Sequence, residues 1–211
     1  MEHRPCACDY HVKGYTTGDE ARQMAVLLDL QPGCRLLDVG AGAGWPGVYF
    51  AKETGCNTML VDLPVEELQV ANERATRDRV SDRCRVTVAE GSRLPFRDAS
   101  FDAISHCEVL CCLEDKRGVL EDCRRVIRNH GRMAFIVIWI MPGLSHTDHR
   151  RAVEAAPSFG ESETDYHTLL EQTGWTVSDC FDVSKSYESS NAAVKEGLLR
   201  RDLFVATPTL T

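Results

Sequence analysis

The sequence has no apolar run long enough to cross a bilayer: the longest, Met133 to Met141, falls well short of the roughly 20 residues a membrane helix needs. Its first residues, MEHRPCACDY, hold no apolar stretch of the signal-peptide kind. Positive charge is scarce, with 24 Lys and Arg against 32 Asp and Glu for a net charge of −8. A chain of that sign does not attract polyanions without a local basic patch, so nucleic acid and anionic membrane are excluded as first readings. The arginine-rich segment Arg74–Arg85 is balanced by Glu73, Asp78 and Asp82 and reads as a solvated helix face. Aromatic residues make up 7%, which argues against an aromatic-rich binding module. There is no internal repeat, low-complexity tract or interdomain linker.

What is present is ordinary globular material. At 211 residues and 43% hydrophobic content, the chain is read as one domain, residues 1–211, with a full core. Ten cysteines without a secretion signal point to free thiols in a reducing cytoplasm.

Helices and strands alternate. Gly18–Leu30 carries apolar residues at helical spacing and stops before Pro32-Gly33, and an N-terminal arm, residues 1–17, precedes it. Short apolar runs at Arg35–Val39, Asn57–Asp62, Arg83–Glu90, Phe101–Ser105 and Gly131–Ile140 read as strands. Helical patterns lie between them, at Val48–Thr54 with Pro46 suited to its first turn, at Leu63–Asp78 and at Lys116–Arg128. That alternation predicts an α/β fold whose parallel sheet is covered on both faces. After the fifth strand, residues 141–160 read as an irregular, polar insert. A helix (residues 163–174), a strand (Trp175–Val183), a helix (Ser189–Arg200) and a strand (Asp202–Pro208) complete the pattern.

The chemistry concentrates where the first strand ends. LLDVGAGAGWPG sets Gly40, Gly42, Gly44 and Gly47 directly after a strand and before a helix. Glycines there allow positive φ and a close approach of ligand to backbone, and the helix start offers free N–H groups. Asp62 closes the second strand, 18 positions after Gly44. In a doubly wound sheet that carboxylate lies beside the first turn, placed to accept both hydroxyls of a ribose. Two ligands fit. Gly42, Gly44 and Gly47 satisfy the dinucleotide pattern Gly-x-Gly-x-x-Gly, whereas Asp38, Gly40, Gly42 and Gly44 form Asp-x-Gly-x-Gly-x-Gly, suited to S-adenosylmethionine. The second is favoured. Roughly thirty mostly helical residues precede the first strand, where nicotinamide enzymes usually begin near it. There is no Tyr-x-x-x-Lys pair for hydride chemistry, and the chain continues past strand five into a helix–strand–helix–strand tail.

With these motifs the chain resembles class I S-adenosylmethionine-dependent methyltransferases, in particular the ubiquinone/menaquinone-biosynthesis and sterol methyltransferase-like group. LLDVGAGAGWPGVYFA resembles that group's first motif and MLVDLP its following acid. VAEGSRLPFRDASFDAI and EVLCCLEDKRGVLEDCRRVIRNHGRMAF resemble its third- to fifth-strand segments. The resemblance covers residues 35–140. It implies a three-layer Rossmann-like fold with a seven-stranded sheet of order 3-2-1-4-5-7-6, strand seven antiparallel. Carried over by position, Gly40, Ala41 and Gly42 would contact the methionine part of the cofactor, and Asp38 and Gly44 of the same motif count among the cofactor-binding residues. Asp62 would bind its ribose, with Leu63 packing on the adenine. Glu90, where the group usually has Asp, and Gly91 would face the adenine amino group, and His106 and Cys107 would lie near the sulfonium. Asn129-His130-Gly131 replaces the common Pro-Gly-Gly, and Cys112 stands where many members have His.

The expected function is methyl transfer from S-adenosylmethionine to a small-molecule acceptor, with S-adenosylhomocysteine as product. Such transfer needs mainly alignment and a dry pocket, sometimes with a base. His106 and Glu108, after strand four, are the catalytic candidates; His146, His149 and Tyr166 lie in or near the insert. Substrate selection is expected in Met141–Gly160 together with Glu108 and Tyr166. His3, Cys6, Cys8 and His11 have zinc-ligand residue types, but the Cys6–Cys8 spacing is tighter than usual and no metal is expected. Cys107, Cys111, Cys112 and Cys123 read as small core hydrophobes. The alternatives are an NAD(P)-binding oxidoreductase domain and a catalytically inactive protein of the same fold that acts by binding partners.

Overall fold

The computed structural model describes residues 14–162 and 164–210. His3, Cys6, Cys8 and His11, and most of the N-terminal arm, lie outside the described residues. Among the described residues no group of three or more His, Cys, Asp or Glu is arranged to hold a metal ion, and no helix is long and apolar enough to cross a membrane.

The chain opens with α1 (Gly18–Leu27), started by a reciprocal cap in which Thr17 Oγ1 accepts the Glu20 N–H and Glu20 accepts the Thr17 N–H. Then follow β1 (Arg35–Val39), α2 (Gly47–Thr54), β2 (Asn57–Asp62), α3 (Val65–Arg77), β3 (Cys84–Val88) and β4 (Phe101–Cys107). Next come α4 (Lys116–Val126), β5 (Ile127–Ile140), α5 (His146–Ala155), α6 (Tyr166–Gln172), β6 (Trp175–Asp182), α7 (Ala192–Lys195) and β7 (Leu199–Pro208). The strands form one sheet of order β3-β2-β1-β4-β5-β7-β6. β1 to β5 pair in parallel, and β7 runs antiparallel to both β5 and β6. This is the topology expected from the sequence.

Strand alternation sorts the core into two layers. Leu36, Leu60, Ala103 and Ala134 pack on one face with Met24, Val48, Phe50 and Ala71 from α1 to α3. Leu37, Val61, Ile104 and Phe135 pack on the other with Leu120, Cys123 and Leu170 from α4 and α6. Each fully buried Leu, Ile or Phe contributes about 1.5–3 kcal/mol, so the central strands are the best-anchored part of the molecule. Their carboxyl ends, where the candidate site lies, are held rigidly.

Several boundaries differ from the sequence reading. β4 runs on to Cys107, two residues beyond the expected Ser105. α4 stops at Val126 because Ile127 turns extended (φ −81°, ψ 147°) and pairs with Phe101. The helix expected over Ser189–Arg200 is one turn only, capped by the Asn191 side chain and stopped at Gly197 (φ 71°). Residues 141–160 are not irregular throughout: Ser145 accepts the Asp148 N–H and starts α5.

Candidate active site

Between β1 and α2 the chain passes through Gly40, Ala41, Gly42, Ala43, Gly44, Trp45 and Pro46. The turn is tied to β2, since the Gly40 and Ala41 N–H groups both donate to Val61 O, at 2.8 and 3.0 Å. Asp62 then holds it from the side, accepting the Gly42 N–H on Oδ2 and the Leu63 N–H on Oδ1, each at 2.7 Å. Buried Arg74 of α3 donates to Ala43 O at 2.5 Å. Gly42 has φ 49°, and a Cβ placed on it would meet nothing within 4 Å. The residue is therefore both left-handed and open, a cradle that a side chain would fill.

Asp38 sits beneath this turn, 1% exposed. Its Oδ1 accepts the Ser105 hydroxyl at 2.7 Å, while Oδ2 has no hydrogen-bond partner among the described residues. Burial raises its pKa to about 7, opposed by the Ser105 bond and the adjacent Gly47 amide. Asp38 lines neither cavity described below, which corrects its expected place in direct contact with cofactor: it supports the turn from inside. Gly44 is likewise buried, and a Cβ there would press on Val48 and Ala71.

Two cavities meet at Gly40. The smaller, about 270 Å³, is lined by Val39, Asp62, Leu63, Glu90, Gly91 and Val109 among others. The larger, about 650 Å³, is lined by Gly40, Ala41, Gly42, Trp45, Glu67, Cys107, Glu108, Cys112, Ile138 and Tyr187 among others. The structure thus gathers Gly40, Ala41, Gly42, Asp62, Leu63, Glu90, Gly91, Cys107 and Glu108 along one edge of the sheet. A separate groove of about 530 Å³ on the exposed edge of β6 contains no residue of the glycine turn.

His106 is not part of this gathering. Successive side chains on β4 alternate between faces, and His106 falls on the opposite face to Ser105 and Cys107. It is fully buried, its ring stacks on Phe135 at 4.5 Å, and neither ring nitrogen has a partner among the described residues. Burial lowers its pKa to about 3. A neutral, enclosed imidazole of this kind cannot serve as the expected catalytic group.

Glu108 does line the larger cavity, in a left-handed conformation (φ 55°) rare for a side chain of its type. It is not a free base, because its Oε1 accepts both Nε and Nη2 of Arg201, at 2.9 and 2.6 Å. Arg201 is 0% exposed and also grips Glu20 of α1. Cys112 corrects the expectation of a core thiol: it is exposed on the cavity wall. Its pKa is lowered to about 7, chiefly through the adjacent Cys111 thiol and further by nearby Lys116, against partial burial and the Glu108 charge.

The insert contributes less than expected. Ala155, Ala156 and Pro157 reach the larger cavity. His149 and Tyr166 instead line another cavity, of about 290 Å³, with Trp139 and Leu144. His146 is engaged by Arg150 on the exposed face of α5. Sequence reasoning missed Tyr15, Trp45, Glu67, Tyr187 and Arg201. Trp45 stands within the glycine turn itself, and Arg201 is a charge inside an apolar strand, LRRDLFVATP. Both signals were visible, whereas the tail residue Tyr187 has none.

Comparison with known proteins agrees with this geometry. Residues 37–135 match the family model of a methyltransferase domain. The methyltransferase GfsG of Streptomyces halstedii is 28% identical over 177 residues, covering 82% of this chain and 63% of that protein. The 27-O-demethylrifamycin SV methyltransferase of Amycolatopsis mediterranei is 33% identical over 173 residues, covering 77% of this chain and 61% of that protein. The chain therefore spans less than two thirds of the length of these relatives. Among solved structures, geranyl diphosphate C-methyltransferase from Streptomyces coelicolor A3(2) superposes with a TM-score of 0.80 at 17% identity, covering 92% of this chain and 78% of that one. The sheet order and the superposition show the class I methyltransferase fold.

Proposed function

We propose that the protein binds S-adenosylmethionine across the two joined cavities and catalyses methylation of a small molecule held in the larger one. The observation that carries this reading is the junction at Gly40, with the Asp62 carboxylate on one side and the open Gly42 cradle on the other. The residues fit the cofactor. Asp62 uses one lone pair on each oxygen for backbone N–H groups and keeps others for ribose hydroxyls. Leu63, Glu90 and Gly91 surround the smaller cavity and would hold the adenine, while Gly40, Ala41, Gly42 and Cys107 would hold the methionine end. When bound, S-adenosylmethionine supplies a methyl group on a sulfonium, already activated for in-line displacement. The chain's own task is then alignment and exclusion of water. Ile138, Ala155, Ala156 and Pro157 give the larger cavity an apolar wall, and the Arg201 anchor keeps Glu108 from swinging.

The relative from Amycolatopsis mediterranei is named for O-methylation of a rifamycin, and the Streptomyces coelicolor structure holds geranyl diphosphate and S-adenosylhomocysteine. These names support a small-molecule acceptor. The net charge of −8 supports an acceptor other than nucleic acid, and we place the protein in the cytoplasm, working as a single cofactor-binding domain. Incubation with methyl-labelled S-adenosylmethionine and a metabolite extract tests the reading. A labelled small-molecule product that disappears with Asp62→Ala is expected; label that never leaves the cofactor contradicts it.

A further inference from the structure

We propose that the acceptor is a small organic amine, recognised in its ammonium form and attacking only after one proton has passed to water, so that the nitrogen lone pair forms the N–C bond as the methyl C–S bond breaks and S-adenosylhomocysteine leaves, and that Glu108 is the residue that selects it. The inference rests on the reading of the larger cavity as the acceptor site.

The first observation is the sign of the wall. Among the described residues lining the larger cavity there is no Lys, Arg or His, while Glu67 and Glu108 both face it. A phosphate or carboxylate acceptor finds no cationic partner among these described residues and loses its hydration to them for nothing in return.

The second is how Glu108 is held. Both Arg201 bonds fall on Oε1, and Oε2 has no hydrogen-bond partner among the described residues. The guanidinium is fixed in turn by Glu20 at 2.7 and 3.2 Å and by Ser186 Oγ at 2.9 Å. One oxygen of Glu108 is therefore pinned, and the other is presented from a rigid, left-handed backbone position. Two carboxylates, Glu20 and Glu108, share one fully buried guanidinium, which leaves the cluster with an unbalanced negative charge. An ammonium at Oε2 balances it through a charge-assisted hydrogen bond. A hydroxyl could make the hydrogen bond but would leave the charge standing.

The third is the aromatic surface. Tyr15 and Tyr187 line the same cavity with ring centroids 4.3 Å apart, and aromatic faces attract cations.

The test is calorimetric titration of the S-adenosylhomocysteine-saturated protein with three probes of one shape: phenethylamine, 2-phenylethanol and phenylacetate. The amine should bind at least ~10-fold tighter than the alcohol, with no binding of the acid. Glu108→Gln should erase that preference while leaving S-adenosylhomocysteine affinity unchanged. Binding of the alcohol or the acid as tightly as the amine, or no binding of the amine, overturns the proposal. So does a Glu108→Gln protein that keeps the preference but loses cofactor affinity, since that assigns Glu108 to the cofactor. The wild-type comparison decides even if the variant does not fold. Failure of the cofactor reading shows separately, as absent S-adenosylhomocysteine binding before any probe is added.

Discussion

The Asp62 carboxylate accepts the Gly42 backbone N–H at 2.7 Å, so the acid that ends β2 also fixes the turn that ends β1. On the proposed reading, loss of the carboxylate acts twice, on a ribose contact and on the cradle. Asp62→Ala should weaken S-adenosylhomocysteine binding by at least ~10-fold, since hydrogen bonds to charged groups contribute about 1.5–3 kcal/mol each. Asp62→Asn, whose amide oxygen can still accept the Gly42 N–H, should fall between wild type and Ala. Equal affinities for all three proteins by calorimetry would remove Asp62 from the site.

Two glycines of the turn region should respond oppositely to the same change. At Gly47 an added Cβ would come within 2.4 Å of Leu60 Cδ2 and 2.5 Å of Asp38 Oδ2. Gly47→Ala should thus destabilise the fold by about 1–3 kcal/mol through overpacking. Gly42 has open space, and Gly42→Ala should cost only the left-handed backbone penalty of about 1–2 kcal/mol, yet reduce cofactor affinity sharply by filling the cradle. Denaturant melts beside calorimetry separate the two; the reverse pattern contradicts the assignment of Gly42 to the ligand.

The buried Asp38 and His106 should give opposing pH dependences. The folded pKa of His106 is about 3 against 6.5, so its contribution is present above about 6.5 and lost as pH falls through that window. The folded pKa of Asp38 is about 7 against 3.8, so its contribution is present below 3.8 and lost as pH rises to about 7. Between these values the two slopes cancel. His106→Phe retains an aromatic ring for stacking on Phe135 and removes two unpartnered nitrogens. Its melting temperature relative to wild type should be higher at pH 5 than at pH 8, with S-adenosylhomocysteine binding retained. A variant that folds but loses the cofactor would restore His106 to the site.

Cys112 should be the most reactive of the described cysteines. It is exposed with a pKa of about 7, whereas burial pushes Cys84 and Cys123 up to about 12. Peptide mapping after brief iodoacetamide treatment at pH 8 should show Cys112 labelled at least ~10-fold faster than either, because the thiolate is the nucleophile. Equal labelling of Cys112 and Cys123 would contradict the site geometry.

The sheet and the cofactor edge were legible in the sequence because they rest on local rules. Alternating apolar runs and helical spacing located β1 to β5, and the glycine turn with Asp62 drew Gly40, Gly42 and Leu63 to one place. What was not legible depends on side-chain direction. His106 and Cys107 are neighbours in sequence, and only the extension of β4 to Cys107, with its strict alternation, sends one into the core and the other to the cavity. Glu108 was visible as an acid after strand four, but its partner Arg201 is 93 residues away and is brought to it by the β4–β5–β7 order. α5 was hidden because its apolar face is narrow: Ala152 is its one buried residue. Gly197, by contrast, could have stopped the overlong helix drawn over Ser189–Arg200.

The central claim is that the joined cavities accept S-adenosylmethionine and not a nicotinamide dinucleotide. Calorimetric titration of the purified protein with S-adenosylhomocysteine and, separately, with NADH tests it most directly. Saturable one-to-one binding of S-adenosylhomocysteine in the micromolar range with no heat from NADH is the expected result. Binding of NADH without S-adenosylhomocysteine binding would contradict it.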